Sequence, residues 1–274
     1  MRQSIDGLYK LDGLLYDNLK FASEAVRKDD DFILLIDGME RSGKSVLAQQ
    51  IARFFDPEFD VSKIVFTVDD FLDTVKNADQ YTCIIWDEAF RGLSKRQAIS
   101  KVNKKVVQTL MEVGQRNLFI IIVLPTYFEL DKYAALHRCK CLIHVHRDKH
   151  YRRGYFKFFD YKKMKSMYVR GRQEYKYCST CNFYGSFSNH YTVDENDYKT
   201  KKDEALRNSE IDQEPRVPRA IRQRDIVLAA FNNYAFSNVK KLKKHLETNY
   251  PNFDMSYRQM TKKIQEQAFG PMPL

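Results

Sequence analysis

The tightest constraint on the fold lies in fifteen or so residues. FILLI at 32–36 is a compact apolar run, DGMERSGKS follows at 37–45, and apolar residues then return at helical spacing, at Val46, Leu47, Ile51 and Phe54. The order is strand, turn, helix. Within the turn, Gly38, Gly43, Lys44 and Ser45 match the spacing GxxxxGK[ST]. Glycines at those places let successive backbone N–H groups point at phosphate oxygens, and the helix that follows offers its positive N-terminus. The expected phosphate-binding set is therefore Gly38, Met39, Glu40, Arg41, Ser42, Gly43, Lys44, Ser45 and Val46. Lys44 is placed to reach β- and γ-phosphates and Ser45 to present its hydroxyl to Mg²⁺, which makes ATP and Mg²⁺ the expected cofactors.

Similar apolar runs recur at 64–68, 83–86, 118–124 and 141–145, separated by segments long enough for helices, notably 100–114. An amphipathic helix is expected over 14–27, from Leu15, Leu19, Ala22 and Val26. Strands alternating with helices predict an α/β fold whose largely parallel central sheet is covered on both faces.

The run at 83–86 ends in two adjacent carboxylates, CIIWDEAF, with Asp87 and Glu88 at the strand's tip. The C-terminal end of a parallel strand is where such sheets bind ligands. Asp87 is expected to hold Mg²⁺ together with Ser45, and Glu88 to polarise the water that attacks the γ-phosphate. A phosphate loop alone implies only phosphate binding; the Asp-Glu pair adds hydrolysis.

GMERSGKS, IIWDEAF and the stretch VGQRNLFIIIVLPTYFELDKYAALHRCKCLIHVH together resemble the ASCE division of P-loop ATPases, over about residues 30–147. Within it the chain is most similar to the FtsK/HerA superfamily of DNA-translocating ATPases and to the zonula occludens toxin-like and viral packaging ATPases. The resemblance implies a RecA-like P-loop NTPase domain with an extra strand between the two motif-bearing strands. It also implies Lys44, Ser45, Asp87 and Glu88 in the roles given above, a polar sensor near Thr126 (with Gln115 or Asn117 at the other end of that strand), and a ring-shaped homo-oligomer. In such rings an Arg reaches the neighbour's ATP; Arg138 and Arg116 are the candidates, with Arg91 and Arg96 behind them. The implied activity is that of an ATPase motor acting on DNA, for genome packaging, transfer or processing by a virus or mobile element. A DNA-bound, ATP-dependent switch or loader that recruits partner proteins is the alternative. A nucleotide kinase is a third reading, against which the Asp-Glu pair counts. A GTPase would need NKxD, and VNKKV at 102–106 carries Val106 where the Asp should stand.

Beyond residue 147 the composition shifts. Cations and aromatic residues interleave from Arg147 to Lys176, as a surface that neutralises phosphates and stacks on bases would require. The alternation in RGYFKFF points to a strand, and a β-hairpin whose aromatics pack inward is the plainer reading of this basic, aromatic β extension, about 147–193. Cys178 and Cys181 in CSTC supply half of a tetrahedral zinc site, with His190, Cys139, Cys141, His144 and His146 as the residues that would have to complete it. The P-loop domain is expected over 1–208 and a linker over 209–218, SEIDQEPRVP. A small C-terminal helical bundle of helix-turn-helix size is expected over 219–274, with stripes at Ile226–Phe231, Val239–Leu246 and Met260–Phe269. A Ser256–Gln259 capping box opens its last helix.

The net charge of +10 favours a polyanionic partner, and five scattered cysteines fit a reducing compartment. Without an apolar run of membrane-spanning length or a signal peptide, the expected location is the cytoplasm, that of the host if the chain is virus-encoded.

Overall fold

The computed structural model describes residues 2–3, 7–88, 107–111, 116–211, 239–249, 255–256, 258–262 and 264. In chain order its main elements are β1 (Arg2–Gln3), β2 (Lys10–Leu11), α1 (Gly13–Val26), β3 (Phe32–Gly38), α2 (Lys44–Phe55), β4 (Ile64–Val65), α3 (Val68–Asn77), β5 (Cys83–Trp86), β6 (Phe119–Val123), β7 (Cys141–His146), β8 (Tyr155–Asp160), α4 (Tyr161–Gly171), β9 (Phe183–Ser186), α5 (Glu195–Ile211) and α6 (Val239–Asn249). The chain forms two compact units, Met1–Ile211 and Asp212–Leu274.

The first unit is an α/β structure around a seven-stranded sheet of order β4-β5-β6-β3-β7-β8-β9. Five strands, β4 to β7 in that order, run parallel, and β8 and β9 close the edge antiparallel. Because both faces are covered, the central strands are almost entirely apolar up to their C-terminal ends, where β3 carries Asp37 and β7 carries His144 and His146. Leu34 and Ile36 of β3 pack with α1 and α2 on one face. Ile33 and Leu35 pack on the other with Phe71 and Val75 of α3 and Met164 and Met167 of α4.

The strand expected over 64–68 stops at Val65, because Thr67 turns out to be the N-cap of α3 and accepts the Asp70 N–H at 3.1 Å. Of the helix expected over 100–114, residues 107–111 are helical, and the others lie outside the described residues. The basic aromatic segment is not a simple hairpin. Strands β8 and β9 do pair antiparallel, but α4 is inserted between them, launched by Asp160, which accepts the Lys163 N–H at 2.9 Å. Its aromatics pack only in part as the plainer reading expects: Phe156, Phe159 and Tyr168 are buried, but Tyr151, Tyr161, Tyr175 and Tyr184 are exposed.

In the second unit, Leu242 and Leu246 of α6 pack with Met255 and Met260. The capping box is formed: Gln259 N–H donates to Ser256 Oγ at 3.3 Å and Ser256 N–H to Gln259 Oε1 at 2.8 Å. The stripe at Ile226–Phe231, Phe269 and the linker beyond residue 211 lie outside the described residues; residues 209–211 belong to α5. Among the described residues, no helix is long and apolar enough to cross a membrane.

Candidate functional site

The loop between β3 and α2 stands at the C-terminal edge of the parallel strands, and two glycines fix its path. Gly38 has φ +132°, and a Cβ there would stand 2.0 Å from the carbonyl oxygen of Val145 on the adjacent β7. Gly43 has φ +103° and lies against the ring of Phe187, which a Cβ would meet at 3.1 Å. Gly43 is also the N-cap of α2 and contributes no side-chain cap, so the first-turn N–H groups keep their capacity for an anion. Arg147, just beyond β7, donates to the Arg41 carbonyl at 3.0 Å and so ties the loop to the sheet.

Lys44 folds back on this loop. Its ammonium donates to the carbonyls of Gly38 at 2.7 Å and Met39 at 2.8 Å. Burial pushes its pKa below the ordinary value, against the opposing pull of Asp87 and Asp37. These carbonyls are weak partners for a full charge, and phosphate oxygens would be stronger ones.

Asp87 and Glu88 arrive from β5, which is not the immediate neighbour of β3: β6 lies between them. Asp87 is 1% exposed and points to the α2 face, in line with Cys83 and Ile85. Its Oδ1 accepts the Glu88 N–H at 2.9 Å and its Oδ2 accepts the Tyr198 hydroxyl of α5 at 2.6 Å. Ser45, in the first turn of α2, lies near the same phenol and acts on its pKa in the lowering direction. Burial, then Asp87, raise the Tyr198 pKa, so it stays a neutral phenol. Glu88, at φ +54°, is ion-paired with Lys202 of α5 at 2.6 Å, and Lys202 stands 4.0 Å from Asp87.

The other residues singled out in the sequence are placed elsewhere. Thr126 follows β6, and its hydroxyl is 3.4 Å from that of Tyr177. Tyr177 belongs to a buried cluster on the opposite face of the sheet, in which Asp37 accepts from Tyr177, from Tyr127 N–H at 3.0 Å, and pairs with His144 Nδ1 at 2.9 Å. Arg138 and Arg116 both sit at the other end of the strands. Arg138 is paired with buried Asp31 at 2.7 Å and donates to the Leu110 carbonyl, also at 2.7 Å. Arg116 donates to the carbonyls of Val75 and Lys76 at the end of α3. Within this chain both guanidinium groups therefore serve structure. Asn117, at the N-terminal end of β6, donates to the Asp30 and Val26 carbonyls. Gln115, Arg91 and Arg96 lie outside the described residues.

The CSTC pair does not gain its other half. Cys178 is exposed and Cys181 buried, and they line an open cavity of about 540 Å³ with His144, Lys157 and Tyr177. His190 stacks on Tyr9 instead, and Cys139 and Cys141 are buried around the start of β7, where burial raises both thiols well above their ordinary range. Among the described residues no group of three His, Cys, Asp or Glu side chains is gathered as a metal site.

The residues that the sequence did not disclose are Phe187, Tyr198 and Lys202, all more than 100 positions from the motifs they touch. Their one local signal is that Tyr198 and Lys202 are four apart on a helix and so share a face. A scan against known protein-family models and a search of curated proteins returned no match to this chain.

Proposed function

We propose that the protein is an ATP-hydrolysing, RecA-like P-loop motor acting on DNA, working as a homo-oligomer in genome packaging, transfer or processing. The observation that carries the ATPase part is the placing of buried Asp87 and of Glu88 at the end of β5, where both carboxylates act on the Lys44 ammonium of the phosphate loop. Ser45 and Asp87 both lie beside the Tyr198 phenol, and one hydroxyl with one carboxylate is a donor set suited to Mg²⁺. When bound, Mg²⁺ would neutralise charge on the β- and γ-phosphates.

The chain's own residues account for the rest. The N–H groups of the 38–45 loop and of the first turn of α2 cradle the phosphates, and Lys44 exchanges backbone carbonyls for phosphate oxygens. Glu88, released from Lys202, accepts the proton of the attacking water. The strand order also supports the reading, since the resemblance implies one strand between the two motif-bearing strands, and β6 has that place. DNA as substrate is supported by the net charge of +10 and by the exposed set Tyr151, Arg153, Lys162, Arg170 and Tyr175 around β8 and α4. Assembly through a neighbour's Arg, recruitment of partners through the C-terminal helical module and a cytoplasmic site of action belong to the same proposal.

The test is ATP turnover with and without single- and double-stranded DNA, together with mass in solution. Lys44→Ala is expected to abolish nucleotide binding. Glu88→Gln should keep binding and lose roughly 10²–10⁴-fold in turnover, the usual contribution of a positioned base. DNA of one form should raise the native rate. Turnover indifferent to both DNA forms in a monomeric chain would overturn the motor, and phosphate transfer to a nucleoside would replace it with a kinase.

A further inference from the structure

Helix α5 is an unusual neighbour for a catalytic site. Among its described side chains only Tyr198 is buried, and that one is directed at the acidic pair. The chain just before it is held firmly: Gln50 of α2 donates to the Ser188 and His190 carbonyls at 2.7 and 2.9 Å, and Arg53 donates to Thr192 at 2.9 Å. After Asp194, which caps the helix, three of the described side chains of α5 hold it. Tyr198 donates to Asp87 at 2.6 Å, lies near Ser45 and packs near the rings of Phe66 and Tyr191. Lys201 donates to the Val61 carbonyl at 2.9 Å, and Lys202 pairs with Glu88 at 2.6 Å.

Two of those three attachments use the groups that metal and attacking water would need. The Tyr198 hydroxyl engages Asp87 Oδ2 at 2.6 Å and lies near Ser45. Lys202 engages the Glu88 carboxylate as an ion pair, which removes it as a proton acceptor. The Tyr198 hydroxyl and a cation held by Asp87 Oδ2 would compete for that oxygen.

We propose that α5 is an autoinhibitory plug, with Tyr198 on the Asp87 carboxylate and Lys202 on the base, and that Mg²⁺·nucleotide and α5 compete for Asp87 and Glu88. The proposal rests on the nucleotide-site reading above and adds its regulation: the site opens only when α5 leaves, and a ligand that drew α5 away would activate hydrolysis. The apparent affinity for Mg²⁺·nucleotide is then the intrinsic affinity reduced by the fraction of molecules with α5 undocked.

The full-length chain tests this with Tyr198→Phe, Lys202→Met and the double variant. Each keeps the ring or the aliphatic stem and removes only the polar contact, so packing on Phe66 and Tyr191 is retained. The probe is a non-hydrolysable ATP analogue with Mg²⁺, titrated by calorimetry, with hydrogen exchange of the α5 amides as a second readout. The double variant should bind about ten- to a hundredfold more tightly, the scale of a lost hydrogen bond to a charged group. In the native chain, α5 amides should exchange faster at saturating analogue. A native chain that binds the analogue, with variants no tighter and α5 protection unchanged, overturns the plug and leaves the nucleotide site standing. Failure of native chain and variants alike to bind overturns both.

Discussion

At the scale of single residues, the site is a set of charges held by provisional partners. Lys44 is the clearest case, with its ammonium on two carbonyls and its pKa lowered by burial. Phosphates favour the ammonium, so nucleotide binding raises that pKa again and takes up a proton once the pH passes the free-state value. Affinity for Mg²⁺·ATP should therefore be constant at lower pH and begin to fall before the ordinary lysine value of 10.5 is reached. Lys44→Arg, charged throughout, should bind less well but with a flat profile over the same range; equal slopes for the two chains would show that Lys44 is not the titrating group. Gly38 is constrained from another direction, by φ +132° and by Val145 O at 2.0 Å from any Cβ. Gly38→Ala should cost about 2–4 kcal/mol in urea unfolding, combining a strained left-handed backbone with overpacking. The motif spacing made Gly38, Lys44, Ser45, Asp87 and Glu88 legible as a candidate site, because the chemistry proposed for each permits few substitutes. Tyr198 and Lys202 were not, since any side chain of suitable reach on a distant helix meets the same need.

At the scale of elements, the strands are legible where burial on both faces leaves an unbroken apolar run, as throughout β5 and β6 and over the first residues of β3 and β7. The misreadings arose where a polar cap decided the outcome. Thr67 converts the end of an apolar run into the start of α3, and Asp160 turns β8 into α4 where a hairpin turn had been expected. Asp160 also accepts from Asn182 Nδ2 at 2.7 Å, while Asn182 Oδ1 accepts the Asp160 N–H at 3.0 Å, so one carboxylate joins the helix start to the approach to β9. Burial opposes its ionisation, but the Lys163 N–H and Asn182 outweigh that and lower its pKa. Asp160→Ala should destabilise the first unit by about 1–2 kcal/mol, the cost of an N-cap and of the bond to Asn182, while Asp160→Asn should recover the cap alone, about half of it, since an amide nitrogen in place of Oδ2 cannot accept from Asn182. Chemical denaturation of the three chains is the measurement, and a loss equal for Ala and Asn would assign the effect to charge instead of capping.

At the scale of the whole molecule, two compact units of unequal size share one chain. The expected domain end at 208 falls three residues short of the helical end at Ile211, because the polar face of α5 resembles a linker in composition while Tyr198 anchors it to the first unit. The core of the first unit covers both faces of a seven-stranded sheet. Among the described residues, the core of the second is Leu242, Leu246, Met255 and Met260, with Val239 and Ile264 against it. A chain segment this short buries a smaller fraction of its surface on folding and has correspondingly less stability in reserve. Calorimetry should therefore show two transitions, the second unit melting first. Leu246→Ala, at a typical cost of about 2–5 kcal/mol, should lower or abolish only the earlier one. Ile121→Ala in β6, of similar cost, should move only the later one. If either substitution shifts both transitions together, or a single transition is seen throughout, the units fold as one, and any release of α5 would have to be transmitted through a shared core.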